Sequence, residues 1–326
     1  MTTQHITALA DGVYLRRPVP AQGWGLANGG LIVSRSGPAA WIDAPYDRRM
    51  AQQFLDDSRE LLAPGGGVEA VFVTHANGDH LWGAGVLPDA EIIATEEALD
   101  HIAYEPEPAA LHALVHSGAD SPTVRYLHEH FGRFDWSDAA PVRPTRTFTG
   151  ALDLQVGEIP VELRTVGPAH TSGDLIVRLP EAGVVFAGDV IFSSTEEEPG
   201  DHAVHWAGPL ASVVRACQEI LDSGAHTVVP GHGPVLDRAG VRQHMDYLEH
   251  LAERAAALHQ QGLTALEAAH RIAAERRYPA LGLPERMAVT ITSEYRHLDG
   301  GGEPTSAVEI VGQMAALADR LAAEAH

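Results

Sequence analysis

The stretch Thr74-His75-Ala76-Asn77-Gly78-Asp79-His80 carries the strongest structural signal in this chain of 326 residues. Its two histidines, its asparagine and its aspartate are all side chains that can bind a metal ion. An apolar run over residues 68–73 ends directly before the stretch and predicts a buried β-strand. Because α/β proteins place their chemistry in the loops that follow the carboxyl ends of strands, the stretch predicts a functional site in an α/β fold.

Three further candidate ligands also follow apolar runs that predict strands. His170 lies in the segment GPAHTSGD at 167–174, Asp189 ends VVFAGD at 184–189, and His232 lies in VVPGHGP at 228–234. The glycines beside Asp189 and His232 allow the backbone to turn sharply and to approach other groups closely. Imidazole and carboxylate donors together suit zinc, iron or manganese, so the set predicts a metal centre.

In chain order these residues resemble the motif of the metallo-β-lactamase fold superfamily. That motif is His-x-His-x-Asp-His, followed by a lone His, a bridging Asp and a final His. The resemblance covers about residues 11 to 236. It implies an α/β fold, specifically a four-layer αββα sandwich, with one or two divalent metal ions at an edge of the sheets and Zn²⁺ as the first expectation.

The resemblance also distributes the ligands between two metal sites, residue by residue. It places His75, His170 and the position of Asn77 in the first site, with Asp189 bridging the two ions. The residues that it places in the second site are Asp79, His80 and His232.

Asn77 is the departure from this motif, which has histidine at that position. An amide oxygen is neutral and binds zinc more weakly than an imidazole nitrogen does. The first site is therefore expected to bind its metal more loosely, or to favour Fe²⁺ or Mn²⁺. The alternative is that Asn77 only forms a hydrogen bond to a ligand. The sequence leaves both roles open.

Five residues outside the motif are candidates for supporting the site. Asp43 and Asp174 could orient a ligand histidine through its free ring nitrogen, with turn capping as the alternative for Asp174. His205 and Trp206 follow the bridging aspartate and could line the pocket or belong to an ordinary loop. Trp24, in the glycine-rich segment 22–30, could cover the site and contact an apolar substrate.

Composition excludes several classes of function. The formal net charge of −22 disfavours binding to nucleic acid and to anionic membranes, whereas 45% hydrophobic residues suffice for a large core. The single cysteine, Cys217, lies in an apolar helical pattern and is expected to be a buried thiol. The first residues show no signal-peptide pattern, which predicts a cytoplasmic protein that acts on a small molecule.

Hydrophobic patterning divides the chain into a catalytic domain, residues 1–236, and a helical part, residues 237–326, packed on the same domain. Weak periodicity over about residues 96–144 predicts an inserted helical segment, which could act as a lid over the pocket. The last helix is expected to begin near Ser306 and carries an apolar stripe, which could pack on the same chain or form a homodimer. Patterning predicts strands at 30–34, 39–43, 68–73, 91–94, 146–148, 151–156, 161–166, 174–179, 184–187 and 227–229, and helices at 48–62 and 210–221.

The resulting functional hypothesis is a metal-dependent hydrolase. Water activated by the metal as hydroxide would attack an ester, lactone, thioester or amide carbonyl, and Asp79 would orient that water or move a proton. The chain has no Gly-x-Ser-x-Gly element that would supply a serine nucleophile. Two alternatives stay open: an iron-dependent, dioxygenase-like oxidative enzyme, and a metal-binding homologue without catalytic activity.

Overall fold

Two β-sheets packed face to face form the centre of the molecule, for which the computed structural model describes residues 6–324. The first sheet has seven strands in chain order. Neighbouring strands are antiparallel through the fourth strand and parallel from there to the seventh. The strands are β1 (Ile6–Ala10), β2 (Val13–Arg16), β3 (Gly29–Val33), β4 (Pro38–Ile42), β5 (Gly67–Phe72), β6 (Glu91–Thr95) and β7 (Arg146–Phe148).

The second sheet has five strands, which also follow one another in chain order from one edge of the sheet to the other. All neighbouring pairs are antiparallel except the last two strands of the chain, which are parallel. The strands are β8 (Ala151–Val156), β9 (Ile159–Thr165), β10 (Leu175–Leu179), β11 (Val184–Phe192) and β12 (Thr227–His232).

The core between the sheets consists of the inward-facing side chains of both. Ile32 and Phe72 of the first sheet belong to the same buried apolar cluster as Leu163, Val177 and Phe186 of the second. Removing this apolar surface from water is the main force that holds the sheets together. The pairing leaves the opposite face of each sheet free to be covered by helices.

Helices cover both outer faces and complete the predicted four-layer αββα sandwich. On the first sheet, Phe54 stacks on the buried Trp41 with ring centroids 4.2 Å apart. On the second sheet, the C-terminal helices bury a separate apolar cluster. Among the described residues, no helix is long and apolar enough to cross a membrane. The helices are α1 (Arg48–Arg59), α2 (Gly78–Leu81), α3 (Glu96–His101), α4 (Pro108–Val115), α5 (Pro122–Phe131), α6 (Leu210–Asp222), α7 (Arg238–Gln260), α8 (Ala265–Ala274), α9 (Met287–Leu298) and α10 (Ala307–Glu324).

The predicted strand positions are confirmed to within a few residues, with one consequential difference. The strand predicted at 184–187 continues to Phe192 as β11, so Asp189 lies inside a strand and not after its end. Gly188 has a φ of +52° and lies at a shift in the pairing of β11 with β12. Such a bulge re-aims the neighbouring side chain and lets a charged residue sit within an otherwise apolar strand.

The inserted segment is helical, as predicted, and contains α3, α4 and α5. The apolar stripe of α10 packs on the same chain, because Ile310, Met314 and Leu317 are buried and α10 contacts α5, α8 and α9. A homodimer through α10 would therefore have to use the opposite face of the helix, and it stays a prediction.

Candidate metal centre

The predicted ligands lie on separate elements that end near one another at one edge of the sandwich. The loop after β5 carries His75 and Asn77, and α2 carries Asp79 and His80. His170 lies in the loop between β9 and β10. The remaining two are Asp189 within β11 and His232 at the last position of β12.

Asp189 is at the centre of this arrangement. Its Oδ1 lies 3.1 Å from Nε2 of His80. Its Oδ2 lies 3.4 Å from Nε2 of His232, 3.5 Å from that of His170 and 3.9 Å from that of His75. One carboxylate therefore faces the Nε2 atoms of four imidazoles that come from three different parts of the chain.

Asp43 holds the histidine loop in place from the first sheet. Its carboxylate accepts hydrogen bonds from the backbone N–H of Thr74 at 2.7 Å and from the Thr74 hydroxyl at 2.8 Å, and Nδ1 of His80 lies 2.7 Å from its Oδ2. Because the Thr74 hydroxyl donates to Asp43, its oxygen can accept a hydrogen bond from the Nδ1–H group of His75, with Nδ1 3.1 Å away. Asp43 therefore directs the Nε2 lone pairs of both His75 and His80 toward the centre.

Asp174 has a different role from the orientation of a histidine ring. Its carboxylate accepts hydrogen bonds from the backbone N–H groups of Ala169 and Thr171 and from the Thr171 hydroxyl, so it caps the turn that carries His170. The His170 ring is held instead through Nδ1, which donates to the backbone carbonyl of Val204 at 2.5 Å. Of the two roles that the sequence left open for Asp174, the structure shows turn capping.

The polar atoms left without partners fit a divalent cation. Nε2 of His75, Nε2 of His80 and Oδ1 of Asp189 are buried and form no hydrogen bond. The short contact between His80 and Asp189 is not a hydrogen bond in the neutral state, because the His80 proton is on Nδ1, facing Asp43. Unpaired buried polar atoms cost free energy unless a partner satisfies them. Two overlapping groups have the spacing to hold a metal ion: His75, His80 and Asp189, and Asp79, His80 and His232.

The protonation of the metal-free cluster differs from one imidazole to the next. Burial lowers the pKa of His170 to about 4, so this imidazole is neutral at pH 7. Burial alone would raise the pKa of Asp189, but His232, His80 and His170 hold it well below its ordinary value. Burial would also lower the pKa of His80 and of His232, but Asp189 and the other nearby carboxylates raise the pKa of His80 well above its ordinary value and that of His232 to about 9. A metal ion would therefore displace a proton from each of these two imidazoles on binding.

Asn77 lies within the cluster and makes contacts on both sides of its amide. Its Oδ1 lies 2.8 Å from Nε2 of His170, and its Nδ2 donates to Oε1 of Glu105 at 2.7 Å. The same Glu105 oxygen lies 3.2 Å from Nε2 of His101. The sequence pattern did not identify Glu105, because it lies in the inserted segment, where no motif or spacing marks it.

His205 and Trp206 lie beside His170. The His205 ring centroid is 6.0 Å from that of His170, and both of its ring nitrogens are buried without a hydrogen-bond partner. The backbone N–H of Trp206 donates to the His170 carbonyl at 2.8 Å. Both residues therefore surround the His170 loop, and Trp206 supports it through its backbone.

Trp24 is engaged with the protein on several sides. Its indole N–H donates to the Tyr126 hydroxyl at 3.0 Å, and the Arg286 guanidinium carbon lies 4.1 Å from its ring centroid. These contacts tie the loop between β2 and β3 to the inserted helix α5 and to the segment before α9. The indole thus connects three parts of the chain near the site.

Solvent reaches the cluster at Asp79 and His232 of the second ligand group and at Asn77, which is also partly exposed. The side chains of Asp79 and His232 are 15% and 11% exposed, whereas those of His75, His80, His170 and Asp189 are at most 6% exposed. A separate cavity of about 490 Å³ is lined by residues such as His202, His250 and Tyr278 and by none of the predicted ligands. The exposed edge formed by Asn77, Asp79 and His232 is therefore the side from which a substrate can approach the cluster.

Comparison with known proteins agrees with this geometry. The family model described as the Metallo-beta-lactamase superfamily matches residues 23–232. A metallo-beta-lactamase type 2 from Bacillus cereus is 21% identical over 231 residues, which are 70% of this chain and 75% of the relative.

Among solved structures, a metallo-beta-lactamase from Pontibacter korlensis is similar with a TM-score of 0.54 at 17% identity, covering 75% of this chain and 98% of that one. A stereoselective inverting sec-alkylsulfatase from Pseudomonas sp. is similar with a TM-score of 0.65 at 16% identity. That similarity covers 90% of this chain and 50% of the sulfatase. At these identities the structural similarities establish the fold alone.

Proposed function

Because this chain belongs to the metallo-beta-lactamase superfamily, we propose that it is a metal-dependent hydrolase of a small-molecule ester, lactone, thioester or amide. The observation that carries the proposal is the convergence of four imidazole Nε2 atoms on the carboxylate of Asp189. Without a cation, such a buried cluster of histidines and a carboxylate would stabilise the fold less than hydrophobic residues of similar volume.

The residues divide between two ions in the proposed site. His75, Asn77 and His170 would hold the first, and Asp189 would lie between the two. The second would be held by Asp79, His80 and His232. Zn²⁺ is the ion we expect first, with Fe²⁺ or Mn²⁺ as candidates for the site that contains Asn77.

A bound divalent ion supplies Lewis acidity, which lowers the pKa of water toward about 7 and polarises a carbonyl oxygen. The protein contributes the proton acceptor. Burial would raise the pKa of Asp79, but His80 and His232 outweigh burial and lower it, so Asp79 is a carboxylate at neutral pH. Its partial exposure lets it hold a water molecule at the open edge of the cluster and accept a proton from it.

No protein nucleophile is needed in this scheme. Cys217 is fully buried within α6, where burial raises the pKa of its thiol to about 12. Attack by water would therefore proceed without a covalent intermediate on the protein.

The structural similarities guide the choice of substrates to test. The similarity to the sec-alkylsulfatase covers 90% of this chain, which supports including alkyl sulfate esters. The metallo-beta-lactamases support including β-lactam amides. These two groups extend a panel of carboxylic esters, lactones and thioesters.

The test combines elemental analysis of the purified protein with initial rates on this panel. We expect bound zinc, manganese or iron, turnover of at least one ester, lactone, thioester or amide, loss of turnover after chelation and recovery on adding the metal back. Oxygen consumption with bound iron would instead support an oxidative enzyme. Bound metal without turnover on any compound would support a non-catalytic homologue.

A further inference from the structure

The amide of Asn77 lies between two groups that both accept hydrogen bonds, and it has an N–H group for only one of them. On one side, 2.8 Å from Oδ1, is Nε2 of His170. On the other side, 2.7 Å from Nδ2, is the carboxylate of Glu105, which comes from the inserted segment directly after the short helical turn Ile102–Tyr104. The orientation of this amide decides whether Asn77 presents an oxygen or an N–H group to the metal site.

His170 cannot donate a proton to Asn77 in its neutral form. Its Nδ1 donates to the Val204 carbonyl, which can only accept, so the single proton of the imidazole is on Nδ1. Nε2 of His170 and Oδ1 of Asn77 therefore face each other with lone pairs at 2.8 Å. Two acceptors at this distance repel each other unless a cation lies beside both.

Turning the amide over would relieve that contact, because Nδ2 could then donate to His170. It would also place Oδ1 against Glu105, and a carboxylate has no proton to donate. A hydrogen bond to a charged acceptor is stronger than one between neutral groups. Glu105 therefore favours the orientation in which Oδ1 points toward His170 and the cluster.

We propose that Glu105 is a positioning residue that directs the carbonyl oxygen of Asn77 into the first metal site. Asn77 is then an oxygen ligand and not merely a hydrogen-bond donor to His170. The inserted segment thereby completes the metal centre that the β5 loop begins. This inference rests on the proposed metal-dependent function, since it concerns a ligand of the same site.

A double-mutant cycle tests this role without relying on activity. The variants are Glu105→Gln, Asn77→Ala and the combination of both, and the readouts are metal stoichiometry, Zn²⁺ affinity by chelator competition and the absorption spectrum of the Co²⁺ form. A glutamine at position 105 can donate as well as accept, so it no longer selects one orientation of the amide. An alanine at position 77 has neither an amide nor a ring for Glu105 to orient.

With Asn77 present, we expect Glu105→Gln to weaken binding at the first site by about 10–100-fold and to change the Co²⁺ spectrum. In the Asn77→Ala background, the same change should alter affinity less than about threefold, well below the usual effect of losing such a partner. Glu107→Gln, an exposed glutamate two residues further on, is the matched control and should bind metal like the native protein.

Three outcomes separate the hypotheses. Native-like affinity in Glu105→Gln overturns the role of Glu105 and leaves the proposed hydrolase intact. An equal loss in both backgrounds also overturns it, because a purely structural effect or direct ligation by Glu105 would not depend on position 77. A native protein that binds neither Zn²⁺ nor Co²⁺ overturns the metal-dependent function itself.

Discussion

Replacement of Asp43 by asparagine should weaken metal binding while leaving the fold intact. Asp43 is 4% exposed, and its carboxylate accepts two hydrogen bonds from Thr74 and one from His80. Its backbone has a φ of +58°, a conformation that asparagine also adopts readily. The substitution therefore preserves size and backbone conformation and changes only the pattern of donors and acceptors.

The expected magnitude follows from that changed pattern. If the new amide keeps the bond from the Thr74 backbone N–H, its NH₂ group replaces Oδ2 and must donate to the Thr74 hydroxyl or to Nδ1 of His80. Donation to Nδ1 of His80 moves the ring proton of His80 to Nε2. Donation to the Thr74 hydroxyl makes that hydroxyl donate to Nδ1 of His75, which moves the ring proton of His75 to Nε2. Both changes block a ligand atom. Loss of such a partner costs about 10–100-fold in metal affinity, which corresponds to about 1.4–2.8 kcal/mol.

The assay is Zn²⁺ affinity by chelator competition, together with thermal unfolding of the metal-free protein. Asp47→Asn is the matched control, because Asp47 is also a buried aspartate, and it caps α1 by accepting from the Met50 N–H at 2.7 Å. Asparagine caps helices about as well as aspartate, so this variant should keep both affinity and stability. Native affinity in Asp43→Asn would refute the argument that Asp43 sets the histidine tautomers.

Three further predictions concern the same region and the core. Asp189→Ala should reduce bound metal to less than one equivalent by elemental analysis and abolish turnover with an unchanged circular dichroism spectrum; unchanged turnover would contradict the two-ion site. Gly231→Ala should lower metal affinity by about tenfold or more, at least as much as the loss of a hydrogen-bond partner of a ligand. The new Cβ would lie 1.8 Å from Oδ1 of Asp189 and 2.8 Å from the Gly188 carbonyl carbon, so the carboxylate would have to move. Native affinity would count against this close approach. Cys217, whose pKa is raised to about 12 by burial, should resist thiol reagents at pH 8 until the protein is denatured, and rapid labelling of the native protein would show that the thiol is accessible.

The sequence was sufficient to identify most residues of the proposed metal site and the layers around it. The candidate ligands, such as His170 and His232, each follow an apolar run, and strands of this kind carry a clear signal in their residue types. The order of ligands along the chain reflects the order in which the strands reach one edge of the sandwich. The helical insert and the C-terminal helices were also visible as changes in periodicity.

The contacts that orient the ligands were decided by the tertiary structure. Asp43 meets Thr74 across 31 residues of chain, and Glu105 meets Asn77 across 28. No local pattern encodes such pairs, since they depend on how β4 lies beside β5 and on where the insert returns to the β5 loop.

The two roles of Asn77 show the same limit most directly. Its position in the motif identified a departure, but an asparagine amide has two orientations that the sequence does not distinguish. The carboxylate of Glu105 favours the orientation in which Nδ2 donates to it, and this leaves Oδ1 facing the proton-free Nε2 of His170. The sequence determined which residues could bind a metal, because the types and spacing of ligands are local. The fold alone determined which atoms they present to it, because hydrogen-bond partners from distant segments set the proton on each ring and the direction of each amide.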